Sequence, residues 1–182
     1  MFLSASLPSP ERHPAYAAST NPVAIREAVR ALAEVVVPAA RLVFGGHPDI
    51  SPRVHDEAER PGAADNVLIY QSRFFEKVIP PASQSFRQLI WTPAGADRES
   101  SLLLMREQML QSERFHAGVF IGGMEGVEEE FELFRRYHPS ALIWRWRPRA
   151  RRPASSSTAS RWARRTPACA TTWPMSRSSG GC

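Results

Sequence analysis

Cysteine is almost missing from this chain. Of 182 residues only Cys169 and Cys182 are cysteines, both near the end. The body of the chain therefore has neither a disulfide framework nor thiolate chemistry. No apolar run approaches the roughly 18 to 20 residues of a membrane-spanning helix, and Met1 to Ser9 carries no basic residue of the kind that opens a signal peptide. The expectation is a cytoplasmic protein with no membrane partner. Also lacking are a phosphate loop ending in Gly-Lys-Ser/Thr, an HExxH helix and a Gly-x-Ser-x-Gly elbow, so three common enzyme chemistries are without their signatures. His13, His55, His116 and His138 show no metal-ligand spacing and read as structural or surface residues. No metal and no cofactor is expected.

Acidic residues are missing from one region alone. Residues 145–182 hold nine of the 23 Lys+Arg residues and none of the 18 acids. Residues 1–144 thus keep fourteen bases against all eighteen acids, a net of −4, although the whole chain stands at +5. The basic balance belongs to the tail, and the body is mildly acidic. A length of 182 residues with 43% hydrophobic content suits one soluble globular domain with a substantial core.

What the body does contain is alternation. Apolar runs at Met1 to Ser6, Arg41 to Phe44, Val67 to Tyr70, Gln88 to Trp91, Ala117 to Ile121 and Ala141 to Trp144 read as six strands. Between them lie helical patterns. Asn21-Pro22 is an N-cap with proline at the first helical position, and Ile25, Val29, Leu32 and Val36 share a face up to Val37. Ser51-Pro52 opens a helix ending near Arg60, Asp97 caps one carrying Leu102, Met105 and Met109, and Gly126 to Tyr137 forms the last. Gln71 to Phe86 reads as a short helix followed by an irregular loop. The expected fold is α/β, a mostly parallel sheet of about six strands with helices on both faces.

In such a sheet the strand ends border one crevice, where ligands bind. Ser4, Ala5 and Ser6 follow the first strand, Gly45, Gly46 and His47 the second, and Gly122, Gly123, Met124, Glu125 and Gly126 the fifth. Glycines let the backbone approach a ligand, and the first turn of the next helix offers free N–H groups to a phosphate. A glycine pair can also merely turn a strand into a helix; three small-residue loops on one edge favour a site. Candidate ligand contacts are Ser4, Ser6, Gly45, Gly46, His47, Gly122, Gly123, Gly126 and Glu130, with Arg73 after the third strand as a phosphate clamp. Glu128, Glu129 and Glu132 read as a solvated helix face.

Together, Phe2 to Ser6, Arg41 to Pro48, Asp65 to Ser72 and Gly122 to Phe131 resemble a stand-alone member of the SLOG superfamily. That superfamily is named for the Smf/DNA-processing A proteins and the LOG phosphoribohydrolases. The resemblance implies a Rossmann-like sheet over residues 1–144 that binds nucleotides or nucleotide-derived molecules, in several bacterial relatives as the ligand sensor of conflict systems. The LOG enzymes carry Pro-Gly-Gly-x-Gly-Thr-x-x-Glu. Here Ile121 stands for the proline, one extra residue separates Gly123 from Gly126, Val127 stands for the threonine, and Glu130 falls where the glutamate does. The resemblance therefore points to a sensor or binding module rather than an enzyme. The alternative is a LOG-type nucleoside-monophosphate N-glycosidase with Glu130 catalytic. The expected partner is a nucleotide-derived small molecule, with a homodimer among the assemblies open to it.

The tail from Arg145 is a different material, rich in Arg, Ser, Pro and Ala, and a nucleic-acid arm is its plainest reading. A frameshifted end, from an error in the gene or in its sequencing, explains it better. Assigning GC-rich codons to Arg145 to Pro153 and restoring one base after Trp144 gives Pro-Val-Ala-Ser-Thr-Gly-Ala-Pro-Ala, which extends the sixth strand into a small-residue loop. The same frame turns Thr171 to Cys182 into His-Asp-Leu-Ala-Tyr-Val-Pro-Leu-Phe-Arg-Arg-Leu. Residues 145–182 are accordingly expected to be irregular and disordered, with no evolved nucleic-acid function. Sequencing the gene across the Trp144 codon is expected to show a one-base shift opening a long alternative frame; an uninterrupted single frame would discard the idea.

Overall fold

Continuous apolar runs make strands that can be buried on both faces, and that is how they are used here. The computed structural model describes residues 1–8, 11 and 14–148. Six strands, β1 (Phe2–Ala5), β2 (Leu42–Gly45), β3 (Val67–Ser72), β4 (Gln88–Thr92), β5 (Ala117–Ile121) and β6 (Leu142–Trp146), pair in parallel in the order β4-β3-β2-β1-β5-β6. Six α-helices accompany them: α1 (Pro14–Ser19), α2 (Pro22–Val36), α3 (Ser51–Ala58), α4 (Pro81–Gln84), α5 (Arg98–Gln111) and α6 (Glu125–Tyr137). The chain first steps outward from β1 to β4, then returns across the sheet to place β5 on the other side of β1. Between β1 and β5 the winding direction reverses, the place where open α/β sheets bind ligands.

Alternate residues of each inner strand feed two separate cores. Leu3, Leu42, Phe44, Val67, Ile69, Val119 and Ile121 join Ile25, Val29 and Ala33 of α2 and Val54 of α3. On the opposite face Phe2, Val43, Leu68, Tyr70 and Phe120 join Met105 and Met109 of α5 and Val127 and Phe134 of α6. The second core is aromatic at its centre. Phe134 lies 5.4 Å from Phe2, stacked, and 5.6 Å from Phe120, edge-on, by ring centroids. Gly118 admits it, since a Cβ there would come within 2.7 Å of the Phe134 ring.

Helix starts follow their local chemistry. The Asn21 side chain accepts the Ala24 N–H, with Pro22 next in line, and Asp97 and Ser100 form a reciprocal capping box at α5. Elsewhere the structure differs from the sequence reading. Between β1 and Asn21, where the sequence shows prolines (Pro8, Pro10, Pro14) and reads as a loop, the chain forms α1, whose six residues are too few to show a helical period. In the stretch after β3 the order is reversed. The strand continues to Ser72, a 3-10 turn follows at Arg73–Phe75, and the short helix comes last, started by Pro81.

The sheet also runs two residues past Trp144. Arg145 pairs with Glu128 and lies over the Phe131 ring at 4.5 Å, while Trp146 stacks on Trp144 and packs against the first core. These contacts complete β6 within the region expected to be irregular, the remainder of which, from residue 149, lies outside the described residues. β6 is an edge strand with Leu142 77% and Trp144 51% exposed. Among the described residues no helix is long and apolar enough to cross a membrane.

Truncating Phe134 to alanine removes a fully buried ring touching Phe2, Phe115 and Phe120. The expected cost is about 3–5 kcal/mol, read as a lower urea midpoint with an unchanged slope.

Candidate functional site

The reversal point brings three of the small-residue loops side by side, because β1 is flanked by β2 and β5. Ser4 pairs in register with Phe120 and Ala5 with Ile121, so Ser6 meets the glycine turn directly: its N–H donates to the Ile121 carbonyl at 3.3 Å. Gly122 makes that turn in the left-handed region, φ +87°, and a Cβ there would come within 2.6 Å of the Ser6 carbonyl oxygen. Only glycine fits both demands. After it the chain enters α6 through Met124, whose side chain makes no capping hydrogen bond.

Beneath the turn lies a buried charge cluster. Arg106 of α5, its side chain 9% exposed, reaches across to α6, where its Nε donates to Glu130 Oε1 at 3.4 Å and its Nη1 pairs with Glu129. Gly126 makes the room, since a Cβ at that position would stand 2.9 Å from the Arg106 Nη2. Glu130 retains 14% of its side-chain exposure. Burial pushes its carboxyl above the ordinary glutamate range; the nearby Arg106 guanidinium and the Ser4 hydroxyl pull it back only in part. Ser4 faces the acid without reaching hydrogen-bond geometry. The Ser4 and Ser6 hydroxyls are both buried and have no partner among the described residues.

Other candidates stand in different surroundings. Gly45 packs against α5, where a Cβ would meet the Met105 methyl at 3.3 Å, so its small size serves close helix packing. Gly46 lies under the side-chain amide of Gln71, which occupies the place a Cβ would take. His47 shapes the entry to α3: its N–H donates to Ser51 Oγ at 3.2 Å, and its ring Nδ1 accepts the Asp49 N–H at 3.2 Å. Gly123 lies under Arg147, which pairs with Glu128. Arg73, two strands from β1, turns toward Glu76 at 3.3 Å and lies over Trp91 at 5.7 Å. It belongs to the same edge, away from the reversal point. Among the described residues no three His, Cys, Asp or Glu side chains gather as metal ligands would.

Two residues escaped the sequence reading. Arg106 sits in the middle of a helical run, where an arginine ordinarily faces water, and Gln71 follows the apolar run Val67 to Tyr70 inside β3. Glu128 and Glu129, read as solvated, are each ion-paired. The signal available was Gly126, a poor helix former in the first turn of α6, which marks a close approach.

Because the Glu130 pKa is raised above 4.5 in the fold, the folded chain binds that proton more tightly than the unfolded chain. The stability this contributes is complete below the unfolded value and is lost as pH rises through the folded one. Urea unfolding as a function of pH is expected to show that decline, and Glu130→Gln to flatten it; parallel profiles for the two chains would contradict the burial.

Comparison with known proteins yields one match. No curated protein and no solved structure matches the chain, whereas the SLOG cluster3 family matches residues 15–156. The match runs from within α1 through β6 and takes in the Gly122 turn, while β1 with Ser4 and Ser6 precedes it, and on it the chain belongs to the SLOG cluster3 family.

Proposed function

We propose that the chain binds a nucleotide or nucleotide-derived molecule at the C-terminal edge of β1 and β5, as a sensor or binding module of a bacterial conflict or stress system. One observation carries the reading. Ser6 holds a hydroxyl that is buried yet unpartnered, and the buried Ser4 hydroxyl faces only the Glu130 carboxyl, at the place in the sheet where an open α/β fold accepts a ligand. Burying hydroxyls without partners costs stability, and a ligand's phosphate or ribose oxygens would satisfy them. The surrounding parts suit such a ligand. Gly122 lets the backbone come close, the uncapped start of α6 favours an anion, and Arg106 and Glu130 offer a cation and an acid to ribose hydroxyls. Membership of a SLOG family supports the same ligand class.

A specific observation favours a second reading. The burial that raises the Glu130 pKa would let its carboxyl stay protonated further toward neutrality, as a general acid assisting departure of a base requires. That is nucleoside-monophosphate N-glycosidase chemistry. Against it stand Val127 in place of the hydroxyl-bearing threonine and the extra residue in the turn, so binding without cleavage is the function proposed.

A panel of AMP, ADP-ribose, cyclic ADP-ribose and NAD, followed by thermal unfolding and by base release, separates the two. At a hundredfold excess over Kd, stabilisation of about 2.7 kcal/mol is expected to raise Tm by about 5 to 10 °C, with no free base and with a smaller shift for the Ser4→Ala, Ser6→Ala double variant. Base release abolished by Glu130→Ala would replace this reading with the enzymatic one. No shift with any of the four would refute it.

A further inference from the structure

Helix α2 carries two apolar stripes, and only one of them is fully covered. Ile25, Val29, Ala33 and Val36 are buried in the first core. A second stripe, Ala24, Ala28, Ala31, Leu32 and Val35, runs along one flank at helical spacing. Arg26 on the opposite flank pairs with Asp49, just before α3, at 3.7 Å, so the second stripe looks away from α3 and toward β5 and β6. Ala28 and Leu32 are half-buried at the border of the core, and Val35 is 73% exposed. The floor beside that flank is apolar as well. Trp144 and Trp146 are in register with Val119 and Ile121, both of the first core, and so point to the same face of the sheet; alternation adds Leu142. Wall and floor form an apolar trough, and among the described residues no further helix lies over it.

We infer that this trough is the docking site of the protein's own C-terminal segment in its restored reading frame, folded as a helix antiparallel to β6. The dimensions suit one helix. β6 lies two strands from β1, about 10 Å, which is one helix diameter, and about a dozen helical residues match the length of a five-residue strand. The chain is also delivered to the right place. Beyond β6 the Pro148 carbonyl accepts the Asn21 N–H at 3.2 Å, at the head of α2, and residues 149–182 still follow. A segment tethered so close has a local concentration on the order of millimolar, which favours it over a second copy. As the chain stands, residues 149–182 contain no Val, Ile, Leu or Phe and cannot supply an apolar face. The restored frame ends in a run containing Leu, Tyr, Val and Phe. The inference rests on the frameshifted end described above and is independent of any ligand.

The test compares the full chain as it stands with the restored-frame protein, each with and without the double substitution Val35→Asp, Leu142→Asp. Both positions are largely exposed, so in the chain as it stands the double variant is expected to keep its Tm. It is expected to lose binding of Nile red, a neutral apolar dye that the unsubstituted chain binds. The restored-frame protein is expected to exclude the dye and to melt about 10 °C higher, a gain that the double substitution removes. Equal dye binding by the two unsubstituted proteins, a restored-frame Tm indifferent to the double substitution, or a gene with no alternative frame overturns the inference. So does a chain that sediments as a dimer and becomes a monomer on double substitution, because the occupant is then a second copy.

Discussion

A four-residue strand, Phe2–Ala5, is hydrogen-bonded along both sides and buried on both faces, and the rest of the molecule is arranged by that constraint. Because β1 is central, α2 and α3 must cover one face and α5 and α6 the other. The residues immediately after such a strand cannot be large. Ser6 and Gly122 meet at backbone distance, and Ser4 shares its level of the sheet with a phenylalanine of β5. Small polar residues at this spot are thus a requirement of packing before they are an opportunity for binding.

The Arg106 and Glu130 pair shows how the two demands are combined. A buried ion pair adds little net stability, because desolvation offsets most of the attraction; replacing both partners by apolar groups would fill the space between α5 and α6 as well. What the pair supplies is a fixed arrangement of charge just below the glycine turn. Gly126 gives up helix propensity to admit the guanidinium, and Glu130 accepts a raised pKa. These are local concessions in one small volume, and Gly118 makes a similar one in the aromatic core by admitting the Phe134 ring.

Much of the fold could be read from the chain because strands buried on both faces are continuous apolar runs and helices announce their starts through Asn21-Pro22 and Asp97. The candidate site was suggested by small residues at Ser4, Gly45 and Gly122, which the structure places at the ends of β1, β2 and β5 on one edge. Pairing partners could not be read. Arg106 and Glu130 are 24 positions apart, and nothing in the pattern of α5 sets this arginine apart from a solvated one. Gln71 was hidden by strand length: a polar residue after Val67 to Tyr70 looks like the end of the strand, whereas the ladder continues through it to Ser72. Gly45 misled in the opposite direction, since a glycine that seats Met105 has the same sequence signature as one that seats a ligand. The six residues of α1 were too short to carry a period at all.

The described tryptophans are all at the rims of the sheet. Trp91 lies on β4 at one edge, Trp144 and Trp146 on β6 at the other, while no tryptophan is among the buried residues of either core. Indole emission from these residues therefore reports the outer strands and is nearly blind to the centre. A change in the emission of these three on warming would record fraying of the borders first. Circular dichroism, which sums over the whole backbone, would follow the loss of β1 and its neighbours.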